Sequence, residues 1–145
     1  MPASASARLG ETAAELEQRY GKPLKSESVG KFTRNTYKAK DYAIVIVLDG
    51  NMSVVELFTK PDLTKEEAVG VIQMIARTDP THYEFDPHEN SGTYHVSEDR
   101  REIGWTLDHF HAHYTPAGRM LVFYRSFEVF SAYKQATAAD ANKGL

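Results

Sequence analysis

The chain has 145 residues, 41% of them hydrophobic and 26% charged, with a formal net charge of −3. That length and balance fit one domain with its own core and exclude wholesale disorder. The mild acidity excludes a strongly basic nucleic-acid binder, and the absence of cysteine excludes disulfides, thiol catalysis and thiolate metal sites.

No apolar run approaches the ~20 residues that span a bilayer. The longest, Tyr42 to Leu48, is strand-sized. Residues 1–8 read as a flexible leader. They lack the basic and apolar regions of a signal peptide, yet Ala3, Ala5 and Ala7 are the small residues found around a cleavage site. The expectation is a periplasmic or secreted protein; a cytoplasmic one with a disordered leader is the alternative.

The domain proper covers 9–139. Thr12 and Glu15 have capping-box spacing, and Ala13, Leu16 and Tyr20 follow at helical intervals until Gly21 and Pro23 stop the helix. Val29 to Lys40 is extended and polar. Tyr42–Leu48 and Asn51–Thr59 are β-rich runs joined by Asp49-Gly50, a tight-hairpin signal. That link predicts Leu48 opposite Asn51, Ile46 opposite Ser53, Ile44 opposite Val55 and Tyr42 opposite Leu57. The other face carries Val45, Val47, Met52 and Val54. With both faces apolar, either the hairpin is covered on both sides or these four residues meet a partner.

A second helix is predicted over 64–77. Thr64 and Glu67 repeat the capping box, Leu63 staples onto Ala68, and Ala68, Val71, Ile72 and Ile75 form the buried stripe. Residues 78–92 are turn-rich, with a short strand expected at His82 to Phe85. Strands are expected over 93–97, 105–114 and 119–127. A helical tail over 127–139 carries Phe130, Tyr133 and Thr137 on one side, and the end, 140–145, is expected to fray. Each half reads as a capped helix followed by strands with a Gly turn and a Met: Gly50-Asn51-Met52 and Gly118-Arg119-Met120. The predicted class is α+β, helices packed on an antiparallel sheet, with a tandem helix–hairpin repeat over 9–62 and 63–127 as one form of it.

Leu9-Gly10-Glu11-Thr12, Glu15 and Arg19-Tyr20-Gly21-Lys22-Pro23 resemble the opening of small exported bacterial proteins of unknown function, frequent in Verrucomicrobia. The hairpin and the Leu63-Thr64 helix start extend the likeness to residue 77. More distantly, the pattern resembles the fold of the BamE/SmpA outer-membrane assembly lipoproteins and the β-lactamase-inhibitor protein. That resemblance implies a binding protein. The lipid-bearing Cys of those lipoproteins is absent here.

All six histidines lie between His82 and His113. His109, His111 and His113 alternate on one expected strand, and His95 sits between Tyr94 and Val96, facing away from the core. Neutral imidazole suits Zn, Ni and Cu. Along one strand, His109 and His113 are about 13 Å apart, so a metal would need two neighbours plus His95 or a carboxylate from an adjacent strand. The alternatives are a solvated sheet face and a pH-sensing surface. Trp105 and Leu107 share the parity of the three histidines, which requires either a bulge near Asp108 or histidines at the rim of an apolar pocket. The basic run Lys22, Lys25, Lys31, Arg34, Lys38 and Lys40 reads as protection of an edge strand, or as a contact for an anionic partner.

No nucleophile elbow, phosphate loop or Rossmann fingerprint is present in the sequence. The reading is therefore a binding or interaction module, with a protein partner or a second copy as its target and no cofactor. The competing reading is a metal-binding protein or metal-dependent enzyme built on the histidine strand.

Overall fold

The computed structural model describes residues 9–78, 94–96, 103–106 and 111–141. In chain order the elements are α1 (Ala13–Tyr20), β1 (Lys25–Val29), β2 (Phe32–Ala39), β3 (Tyr42–Asp49), β4 (Met52–Thr59), α2 (Lys65–Thr78), β5 (Tyr94–Val96), β6 (Ile103–Thr106), β7 (His111–Thr115), β8 (Met120–Tyr124) and α3 (Phe127–Ala141). The strands form a sheet of order β1-β2-β3-β4-β8-β7-β6-β5. Every neighbouring pair is antiparallel. The fold is α+β. Among the described residues four strands follow each of the first two helices.

The first helix starts as its cap predicts. The Thr12 hydroxyl accepts from the Glu15 amide, and Glu15 returns a bond to the Thr12 amide. Gly21 ends it at φ +83°. The polar stretch that follows is a tight meander. Two-residue turns at 30–31, 40–41 and 50–51 join β1 to β4, and Gly30, Lys40 and Gly50 each take positive φ at the first turn position.

The β3–β4 register departs from the expected one. Asp49 stays in the ladder opposite Met52, so the loop is Gly50-Asn51, with the glycine first. Leu48 pairs with Ser53, but Val47 pairs with Val55, leaving Val54 as an extra residue. Past this bulge Ile46 faces Glu56 and Ile44 faces Phe58. A bulge re-aims the chain, and here it turns Ser53 and Glu56 to one face and Val54 and Val55 to the other.

α1 and α2 pack on the first face, against β2 and β7, while α3 crosses the second face over β1, β4 and β8. The first core gathers Leu16, Tyr37, Ile46, Leu63, Ile72 and Phe123. Ala68 of α2 is buried in it beside Leu63, as the staple predicts. The Thr64 hydroxyl accepts from the Glu67 amide, and the Tyr114 hydroxyl donates to the Leu63 carbonyl at 2.7 Å. The second core gathers Val29, Phe32, Val47, Val54, Tyr124 and Tyr133. Fully burying each such side chain contributes about 1.5–3 kcal/mol.

Two further expectations change. The single strand over 105–114 is two antiparallel strands, β6 and β7, with Trp105 opposite Ala112. In that register Trp105 shares a row with Ala112 and not with His111 or His113, while Leu107 and Asp108 lie outside the described residues. The tail is also longer than expected, because α3 stays helical through Ala141. His82 to Phe85 lies outside the described residues, as does Ile75's side chain.

Candidate functional site

β7 alternates as predicted: Ala112 and Tyr114 are buried in the first core, and His111 and His113 take the other face. There they join aromatic rings. His113 Nε2 shares a hydrogen bond with the Tyr124 hydroxyl at 2.9 Å. His111 stacks on Tyr124 at 5.3 Å and lies 4.3 Å from Phe127. Tyr124 in turn stacks on Phe130 at 4.5 Å. Gly104, opposite His113, leaves room for this ring; a Cβ there would sit 3.1 Å from His113 Cδ2. His95 pairs with Gly104 from the other side, so the backbone places His95 and His113 two strands apart, roughly 10 Å. His109 lies outside the described residues. Among the described residues no three metal-ligating side chains converge. His111 and His113 serve here as parts of an aromatic wall, with one imidazole nitrogen of His113 already engaged.

The hairpin's second face was open to two readings, cover by the chain itself or contact with a partner, and two of its four residues are covered by the chain. Val47 is fully buried and Val54 nearly so, both under α3. The reason is length. A helix of 15 residues runs about 22 Å, enough to cross several strands spaced ~4.8 Å apart. It reaches the β1–β2 turn, where a Cβ on Gly30 would lie 3.0 Å from Ala136 Cβ. Val45 is half-buried, and Met52 stays exposed at the turn beside Arg125. Half of the basic run is paired: Lys25 and Arg34 with Glu27, Lys31 with Asp49.

α3 covers only the end of its face nearest the 30–31 and 50–51 turns. At the opposite end a trough of about 560 Å³ opens, lined among others by Leu24, Lys38, Ala43, Thr59, Pro61 and Arg119. Lys38, Ala43 and Thr59 pair in one row across β2, β3 and β4. Leu24 is 72% exposed beside it. Lys60 also borders the trough, but its ammonium is held by Glu67 and Asp62. Arg119 donates to the Leu63 carbonyl. Lys38 has no ion pair among the described residues, so it is the cation available to a ligand.

A third cluster escaped the sequence reading. Under α1, Glu56 is 1% exposed and Glu11 8%. Arg19 grips Glu11 through Nε and Nη2. The Ser53 hydroxyl accepts from the Glu11 amide at 3.2 Å and hydrogen-bonds the Glu56 carboxyl. Burial, reinforced by the Glu11 charge, pushes the Glu56 carboxyl up to about 8 despite Arg19 and Ser53. Burial likewise raises the Tyr37 phenol nearby, where Asn35 donates to its oxygen. The signal was present in the sequence: Glu56 is the lone charge inside Val54-Val55-Glu56-Leu57-Phe58.

No protein-family model and no curated protein matches the chain. Among solved structures it is similar to a cysteine-rich secretory protein from Staphylococcus aureus subsp. aureus Mu50, with a TM-score of 0.54 and 10% identity. The match covers 84% of this chain and 46% of that one, so the chain spans about half the length of its neighbour. The likeness is one of fold. It does not depend on disulfides, since this chain has no cysteine.

Proposed function

We propose that this chain is an exported binding module whose contact surface is the trough at the open end of the α3 face. The observation that carries the reading is the half-covered sheet. One end of a face is sealed by α3, while the other leaves about 560 Å³ among Leu24, Ala43, Pro61 and Lys38. Ligand sites are mostly apolar concavities with a few placed polar groups. Such a lining suits a ligand with an apolar body and one anionic end, the anion at Lys38. Export is supported by Ala3, Ala5 and Ala7 in the leader, and the similar solved structure is that of a secretory protein.

Backbone amide shifts during titration with octanoate, and with an acidic-apolar hexapeptide, test this reading. Saturable shifts confined to 36–43, 59–61 and 117–119 are expected. Ala43→Trp, which fills the trough, and Lys38→Glu, which reverses its charge, should each weaken binding at least tenfold. Unchanged shifts with both probes would count against the trough as a binding site.

A further inference from the structure

From the polar cluster under α1 we infer that Glu56 is a proton-sensitive latch, holding residues 10–20 on the sheet while its carboxyl is protonated and releasing them when it ionises. The inference is independent of the trough.

The contact it controls is small and local. Residues 10–11 bond to β4 beside the bulge: the Gly10 amide donates to the Ser53 carbonyl at 2.8 Å, and the Ser53 amide donates to the Glu11 carbonyl at 2.9 Å. The Ala13 amide donates to Asn51 Oδ1. α1 itself has only 8 residues, too few to be stable without docking. Its anchors are Leu16, fully buried, and the Glu11–Arg19 pair. Whatever weakens those anchors releases the helix.

Glu56 sits where it can do this. Its neighbours form a chain in which the Glu11 amide donates to Ser53 Oγ, leaving the Ser53 hydroxyl proton for Glu56. Charged groups facing it come from the N-terminal segment and α1, namely Glu11 and Arg19. β2 contributes the Tyr37 phenol and the uncharged Asn35, β3 contributes Ile46, and β8 contributes Phe123. Among the described residues, the Arg19 guanidinium is the cation that faces both carboxyls. Two buried acceptors on this face, Glu56 Oε2 and Asn35 Oδ1, have no donor among the described residues, and they lie in one row, Asn35 opposite Ile46 and Ile46 opposite Glu56. A proton on Glu56 turns one surplus acceptor into a donor. Its loss places a second buried anion against Glu11, which is costly without a second cation.

The direction of the pH effect follows. The Glu56 carboxyl titrates near 4.5 when free and near 8 in the fold. Below about 4.5 both states hold the proton and the latch is fully closed. Its contribution falls as pH rises through that window and is lost above about 8.

Amide hydrogen exchange between pH 5 and 10, corrected for intrinsic rates, tests the latch. Protection of residues 10–20 should fall by up to tenfold per pH unit toward pH 8 and then level. β2 and β3 should remain protected after residues 10–20 have opened. Glu56→Gln, which keeps the hydrogen-bonding shape without the charge, should abolish the slope. Constant protection in the wild type, a slope that survives Glu56→Gln, or loss of β2–β3 protection in step with residues 10–20 would each overturn it. Should Glu56→Gln fail to fold, the carboxyl carbon shift of Glu56 in the wild type decides. A midpoint near 8 that tracks α1 shifts supports the latch, and one near 4.5 overturns it.

Discussion

The two faces of one sheet bury polar groups in opposite ways. Under α1 the buried groups are charged or chargeable: Glu11, Arg19 and Glu56, joined through Ser53. Under α3 they are rings: His111, His113 and Tyr124, stacked among Phe127 and Phe130. The aromatic cluster pairs the Tyr124 hydroxyl with His113 Nε2 inside large apolar contacts. The carboxyl cluster sets Arg19 against two acids among the described residues, and burial holds Glu56 toward its protonated form, so its stability depends on protons. On the α1 side the burial carries a titration, that of Glu56, built into the packing.

The largest break in this comparison is Tyr124→Ala. Tyr124 is fully buried, and removing such a ring costs about 3–5 kcal/mol. Urea unfolding should show that loss, while Tyr124→Phe, which keeps the stack and removes the hydroxyl that bonds His113, should cost about 1 kcal/mol. If the two variants are equally destabilised, the hydroxyl and not the ring holds the cluster.

On the charged side, Arg19→Met leaves Glu11 and Glu56 without their cation. With the Arg19 side chain 20% exposed, a loss of about 3 kcal/mol at pH 8 is expected, at the low end for breaking a buried pair. Unfolding at pH 4 should show a smaller gap from wild type, because a protonated Glu56 no longer needs the guanidinium. A gap unchanged between pH 4 and 8 would mean that Arg19 acts by packing alone.

The smallest effect expected is at Gly104. A methyl group there meets His113 Cδ2 at 3.1 Å, and overpacking of this kind costs about 1–3 kcal/mol. Adding His113→Ala should remove most of the Gly104→Ala penalty, a coupling that a double-mutant cycle reads directly. Additive losses would show that Gly104 is needed for the β6 backbone and not for the imidazole.

Much of the fold was legible in the chain. Thr12 with Glu15, Thr64 with Glu67, Gly21 and Gly50 lie within a few residues of what they control, so caps and turns announced themselves. The α+β class and the alternation of His111 and His113 against Ala112 and Tyr114 followed from periods of 3.6 and 2. The Glu56 cluster was not legible as a cluster. Its members are Glu11, Arg19, Ser53 and Glu56, spread over α1, the segment before it and β4, and their meeting depends on one extra residue at Val54.

By itself, then, the sequence determined where helices begin, where hairpins turn and which strand residues alternate, because those choices depend on hydrogen bonds and sterics between near neighbours. Tertiary structure alone decided that α3 covers Val47 and Val54, that the chain reverses between Thr106 and His111, and that a bulge turns Glu56 toward Arg19. Each of these is set by competition among distant apolar surfaces for the same sheet, which no local pattern records.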